Sequence, residues 1–258
     1  MTLELLNLLE KNFFLFLFIF FRFLFLFFLF PLFASPFFPS KVKIALSIIL
    51  ALSFTPFLGL KVTVPQNLLT FISILFSDFL LIFFISLFFR FLLGGLQLGG
   101  ELVGLQMGFG ISQTFDPLGG VSMPILSQFI YLLFILFFFA FDLHHHLIYF
   151  IVRSFSDLPS ETLLYKSGMM KFILKKSSLI FDIAIKVLAP LLVFMLLINI
   201  ILAIIGRIIP QINVLFVSLP FTLGIGLFFF GLMLMFLPYF LKGLFKEFTQ
   251  FLSIFLVK

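Results

Sequence analysis

Scanned with a window of about 20 residues, the length a helix needs to cross roughly 30 Å of hydrocarbon, the chain shows six apolar runs separated by short polar stretches. The first covers Phe13 to Phe33 and is interrupted only by Arg22; the second covers Val42 to Leu60 and carries Pro56. The third covers Leu68 to Leu93 with Asp78 inside it, and the fourth Leu126 to Val152. The fifth, Leu179 to Ile209, is long enough to tilt or to break at Pro190. The sixth, Ile212 to Leu241, contains Pro220, Gly224, Gly226 and Gly231. Each run predicts a helix. The first is too long for the roughly 7–15-residue apolar core of a signal peptide, and Glu4 and Glu10 spoil the positive segment that should precede one.

Between the third and fourth runs the pattern changes. "GGELVGLQMGFGISQTFDPLGG", Gly99 to Gly120, holds two carboxylates and seven glycines, which a lipid-facing helix has no use for. Gly95-x-x-x-Gly99, Gly100-x-x-x-Gly104 and Gly104-x-x-x-Gly108 have the small-xxx-small spacing that lets helices approach closely. Gln97 and Glu101, spaced i,i+4, add a polar stripe for water or partner subunits to satisfy. The end of the third run therefore predicts a tightly packed helix. Beyond Gly110, Ser112, Gln113, Asp116 and Pro117 are loop formers, and Gly119-Gly120 permits a sharp turn. The loop either enters a protein-lined cavity, the only place where irregular backbone is tolerated at membrane depth, or is an ordinary external loop.

Composition supports the membrane reading: 63% of residues are hydrophobic and 10% charged, with a mean hydropathy of +1.35, against roughly 45–50% and about 25% in a soluble domain. The net charge of +6 reads as topology rather than nucleic-acid binding, because the cations lie mostly between the runs. Arg153, Lys166, Lys171, Lys175 and Lys176 mark a cytoplasmic segment. Six spans then place Lys11, Lys61, Lys242, Lys246 and Lys258 inside and Lys41, Lys43 and Arg207 outside. With no repeat of 20–50 residues, the expectation is one all-α, polytopic membrane domain over residues 1–258, with about six helical segments, some broken or hairpin-like.

Arg22, Asp78, Arg90, Asp142, Asp182 and Lys186 lie inside apolar runs. A lone ion at mid-bilayer costs from about 2.5 to more than 10 kcal/mol, so these groups must face protein, water or one another; Asp182 and Lys186, at i,i+4, are spaced to pair. In "DLHHH", Asp142 to His146, successive helical residues project about 100° apart, so three adjacent histidines do not converge on one ion. Cysteine is absent, and so are a helical His-Glu-x-x-His, a Gly-x-Ser-x-Gly elbow and a P-loop. The sequence thus offers no enzyme chemistry, cofactor site or metal site.

Three blocks carry a resemblance. "GELVGLQMGFGISQTFDPLGG", "HHHLIYFIVRSFSDLP" and "LAPLLVFMLLINIILAIIGRIIPQINVLFVSLP", in that order and spacing, resemble the FliR family of flagellar biosynthesis proteins, whose virulence counterparts serve type III secretion. They span Gly99 to Pro220; the first hundred residues match in length and hydropathy alone. Phe141-Asp142 departs from the family, which commonly has small residues there.

The resemblance implies a non-enzymatic subunit of the flagellar protein export gate in the bacterial inner membrane, at the flagellar basal body. It implies assembly with FliP-like and FliQ-like subunits into a hetero-oligomeric helical channel, joined by an FlhB-like protein, through which unfolded flagellar proteins pass. In such assemblies the segment matching Phe109 to Pro124 forms a plug. The expected pore and plug residues are Met107, Gly108, Phe109, Gly110, Ile111, Phe115, Asp116 and Pro117. The expected assembly and packing residues are Gly100, Glu101, Gly104, Gln106, Gly206, Arg207, Pro210, Gln211 and Asn213. The alternative is an autonomous proton-coupled small-solute transporter using Asp78, Asp142 and Asp182 as relay carboxylates, although the halves show no matching inverted repeat of broken helices.

Overall fold

A computed structural model describes residues 2–34, 38–58, 64–110, 124–157, 168–209, 211 and 213–256. Among them the regular structure is helical throughout: α1 (Thr2–Leu29), α2 (Pro31–Ala34), α3 (Ser40–Leu58), α4 (Leu68–Gln106), α5 (Ile125–Ala140), α6 (Leu143–Asp157), α7 (Gly168–Lys176), α8 (Leu179–Ile208) and α9 (Val214–Leu256). All six predicted runs are mainly helical over their described residues, as an all-α polytopic membrane protein requires, but fewer than the six expected spans qualify among those residues, α3 not being one of them. Four stretches among the described residues are long and apolar enough to cross a bilayer: Leu9–Leu29, Leu68–Gln106, Ile173–Ile208 and Phe216–Ser253. The fourth run is a bent pair, Ile125–Ala140 and Leu143–Phe155, which turns by 64° and makes a fifth span if counted as one.

The bend has a local cause. Asp142 takes φ +56°, a left-handed conformation that Asp tolerates better than most side chains. Pro190 does not break α8, nor do Pro220 and Pro238 break α9; packing and the remaining ladder carry both helices past the missing donors. α4 and α9 outrun their apolar windows, α9 continuing through Lys242, Lys246 and Glu247.

The chain forms two compact units. The first comprises Met1–Arg90, Asp142–Lys176 and Glu247–Lys258. Its centre is aromatic: Phe88 stacks on Phe251 with centroids 4.2 Å apart, and Phe30 meets Phe89 at 4.4 Å. In the same unit Arg22 of α1 is fully buried; it donates to Asp78 of α4 and, over 2.8 Å, to the Ser154 hydroxyl of α6. The guanidinium carbon also lies 3.6 Å from the centroid of the Phe155 ring. The two charges thus face one another, which offsets part of the cost that either alone would carry in an apolar core. Arg90, by contrast, is exposed and donates to the Leu29 carbonyl at 3.2 Å.

The second unit comprises Phe91–Phe141 and Ser177–Lys246, which is the C-terminal part of α4 with α5, α8 and most of α9. Phe134 and Phe138 of α5 pack on Phe245 of α9. Asp182 and Lys186 of α8, both exposed, form no ion pair with each other, so the expected i,i+4 pair is not made. Water and headgroups can solvate two exposed ions separately, and holding them together would cost side-chain entropy.

Candidate functional site

The glycines of α4 divide between two faces. Gly95 and Gly99 abut α8: a Cβ on Gly95 would stand 2.8 Å from the Ile180 carbonyl oxygen and 2.8 Å from the Ile183 Cβ. One on Gly99 would stand 3.1 Å from the Ala184 carbonyl oxygen. Gly100 and Gly104 abut α5: at Gly100 a Cβ would come within 3.0 Å of the Ser127 Cα, and at Gly104 within 3.7 Å of Leu126 Cδ1. The close approach on the α5 side lets the Ser127 hydroxyl donate to the Gln97 carbonyl at 2.8 Å. At Gly95, Gly99 and Gly100 α4 is therefore held on two sides by contacts that tolerate little more than hydrogen, whereas Gly104 makes an ordinary van der Waals approach.

The third predicted pair, Gly104 with Gly108, is not a helical face, because α4 ends at Gln106. Gly108 has φ +93°; its N–H donates to the Leu105 carbonyl at 3.1 Å, and the Phe109 N–H reaches back to the Gly104 carbonyl at 3.0 Å. This paired bonding, with a left-handed glycine just past the helix, is a Schellman C-cap. It satisfies carbonyls that the helix end leaves orphaned.

Met107 at the cap is fully buried. A Cβ on Gly226 of α9 would stand 2.6 Å from Met107 Cγ, so the thioether chain lies in a notch that only glycine leaves open. The Thr222 hydroxyl, one turn earlier on α9, contacts the Met107 carbonyl at 3.3 Å as donor and also the Leu219 carbonyl at 3.1 Å. Thr222 and Gly226 were not singled out from the sequence as an anchor. Their own small-xxx-small spacing was the available signal, but nothing tied it to Met107.

The remaining expected residues distribute unevenly. Phe109 and Gly110 are half-buried, while Ile111, Phe115, Asp116 and Pro117 lie outside the described residues, as does Pro210. Glu101 is exposed beside the buried Gly100. Gln106 is half-buried, and its carboxamide oxygen is enclosed without a donor. Gly206 is half-buried and Arg207 exposed in the last turn of α8, where a cation suits the helix dipole. Gln211 and Asn213 are exposed in the turn before α9, whose first N–H groups from Phe216 and Val217 donate to the Asn213 carbonyl.

At the α5–α6 bend, Asp142, His144 and His145 bring potential ligand atoms within 4.8 Å of one another. The three adjacent histidines do not converge: His146 lies outside the group, and it is Asp142, in the turn before α6, that joins His144 and His145. His145 lies 3.4 Å from the Asp142 carboxylate, and its backbone N–H donates to the Asp142 carbonyl, so the group also serves as the local start of α6. Asp78, the first of the relay carboxylates of the transporter alternative, is bound to Arg22.

The chain matches the family described as "Bacterial export proteins, family 1" over residues 13–248. It is 30% identical over 223 residues to the flagellar biosynthetic protein FliR of Pectobacterium carotovorum, covering 86% of this chain and 85% of that protein. Against the protein of the same name from Escherichia coli it is 27% identical over 228 residues, covering 86% and 85%. Against that from Bacillus subtilis it is 32% identical over 138 residues, covering 52% and 53%.

Proposed function

This chain belongs to the FliR family of bacterial export proteins, and from that premise we propose that it is a non-enzymatic, membrane-embedded subunit of the flagellar export gate. It forms part of the channel through which unfolded flagellar proteins cross the inner membrane at the basal body. It works with FliP-like and FliQ-like subunits and an FlhB-like protein. No cofactor or metal enters this reading. The two compact units act as one domain, since α4 and α9 each contribute to both.

The observation that carries the proposal is the anchored end of α4. A helix gripped by α5 and α8 ends in a glycine cap whose Met107 is seated on α9, so the segment that follows starts from a fixed point. Phe109, Ile111 and Phe115 then supply the bulk of an apolar closure, with Met107 as its pliable base. Gly108 and Gly110 are its hinge, and Asp116 and Pro117 belong to the same plug. Gly100, Glu101, Gly104, Gln106, Gly206, Arg207, Pro210, Gln211 and Asn213 serve packing and subunit contacts. Exposed Glu101, Arg207 and Gln211 are polar groups whose partners a neighbouring subunit can supply.

Two experiments test this. A tagged copy purified from its native membranes should carry FliP-like and FliQ-like proteins, identified by mass spectrometry; recovery of the chain alone would overturn the subunit role. Deleting residues 108–120 in cells that express the whole complex should raise ion leakage across the inner membrane, and unchanged leakage would overturn the plug.

A further inference from the structure

The turn before α6 gathers three side chains whose spacing suits an ion better than it suits their contact with one another. Among the described residues, Asp142, His144 and His145 each place a ligand atom within 4.8 Å of the other two. His145 Nδ1 lies 3.4 Å from Asp142 Oδ1. That is long for an N–H···O hydrogen bond, which settles near 2.9–3.0 Å. With the two side chains 71% and 70% exposed, an ion pair there contributes little. The same separation is the edge of a zinc tetrahedron: ligand atoms about 2.0–2.1 Å from the ion stand roughly 3.3–3.4 Å from one another. The His144 ring lies beside that of His145, with centroids 4.1 Å apart and planes inclined by 36°. The widest separation in the group thus exceeds a tetrahedral edge by at most about 1.5 Å, which rotation of the exposed His145 ring and Asp142 carboxylate can close.

The backbone holds these groups in one frame. Asp142 takes φ +56°, and its carbonyl accepts the N–H groups of His145 at 3.0 Å and of His146 at 3.4 Å. Charge favours a cation there in spite of the helix end. The α6 dipole sets roughly half a positive charge at its N-terminus, and an Asp142 carboxylate brings a whole negative one. Arg153, the other basic side chain of α6, starts about 12 Å further along the axis than His145 and donates to the Tyr149 hydroxyl at 2.8 Å. The donor set selects the ion: two imidazoles with one carboxylate suit zinc and its transition-metal neighbours, whereas Mg²⁺ and Ca²⁺ take oxygen ligands. We infer that Asp142, His144 and His145 form a surface site for one divalent transition-metal ion of the zinc type, with its fourth position open to water. The site goes beyond the export reading and does not rest on it.

The test is isothermal titration of the full-length chain with Zn²⁺, the protein purified in mild detergent through a tag without histidine and kept in excess Mg²⁺. One saturable site per chain is expected. Asp142→Asn removes the carboxylate and keeps a residue that tolerates the left-handed turn. It should weaken Zn²⁺ at least about tenfold, since losing even an outer hydrogen-bond partner of a ligand costs about 10- to 100-fold. His144→Ala and His145→Ala should weaken it by at least the same factor, and His146→Ala should bind as the wild type does. The inference is overturned by absence of a saturable site, or by weakening short of about tenfold in any of the first three variants. A defect in His146→Ala equal to that of His145→Ala also overturns it, because ions would then be attaching to a run of three histidines and not to a site shaped by the turn. Failure of the export reading would appear as loss of co-purifying partners, a separate measurement.

Discussion

Gly100→Ala tests the grip on α4 most directly. The added Cβ would stand 3.0 Å from the Ser127 Cα and 3.2 Å from its nitrogen, whereas carbon atoms settle about 3.5–4.0 Å apart. Both obstacles are backbone, so α5 must move as a body by roughly half an ångström, straining the bond from Ser127 to the Gln97 carbonyl. Overpacking of this kind costs about 1–3 kcal/mol. Alanine in place of glycine returns about 0.8–1.0 kcal/mol of helix propensity, which would obscure a single measurement. Gly94→Ala removes that ambiguity: on the same helix, a Cβ at Gly94 has nothing within 4 Å. The propensity gain is shared, so the difference between the two variants isolates the packing cost, about 1–3 kcal/mol. At about 2–4 °C per kcal/mol for a chain near this size, Gly100→Ala should melt roughly 2–12 °C below Gly94→Ala in the same detergent. Coincident melting of the two variants would refute the claim that α4 and α5 touch through Gly100.

The buried ion pair gives a second prediction: Asp78→Asn should destabilise by about 3–5 kcal/mol because Arg22 stays buried without its charge partner, whereas Arg22→Met with Asp78→Leu should recover most of that loss. Thermal unfolding measures both, and a double variant no better than the single one contradicts the pairing. At the cap, Gly108→Ala forces a side chain into the left-handed region at about 1–2 kcal/mol. Amide exchange at Phe109, whose N–H bonds to the Gly104 carbonyl, should then quicken about 5- to 30-fold, and unchanged protection there argues against the cap.

Helix positions were legible because a 20-residue apolar window detects the same burial that makes these segments helical. Helix ends were not: Glu4, Glu10 and Lys11 belong to α1, and Lys242, Lys246 and Glu247 to α9, where the backbone stays helical while the side chains turn polar. The need for Arg22 and Asp78 to be satisfied could be read from their place in apolar runs, but their pairing joins two helices distant in sequence and has no local signature. Gly108 shows a different limit. Glycine at i+4 from Gly104 fits a packed helical face, yet glycine is also the residue that ends a helix with φ above zero. The bonds from Gly108 and Phe109 back to Leu105 and Gly104 decide between the two. Seating Met107 on Gly226 required knowing which helix lies opposite.

Two glycines of α9 have no such neighbour among the described residues. Gly95, Gly99 and Gly100 are explained by backbone pressed against them, but Gly224 and Gly231 of α9 are exposed and have nothing within 4 Å of a Cβ. They stand seven residues apart, two turns on one face, and each costs roughly 1 kcal/mol against alanine in a helix with no compensating contact among the described residues. Phe221, Leu227, Phe228 and Met235 beside them are exposed, so this face is available to another helix, and close approach is what glycine permits there. Replacing both by leucine should leave the melting temperature of the isolated chain equal or higher, while FliP-like and FliQ-like proteins no longer co-purify. A destabilised chain would mean that the face packs internally after all. Partners recovered at the wild-type level would mean that it lies in lipid, and the assembly surface would then have to be sought elsewhere on the molecule.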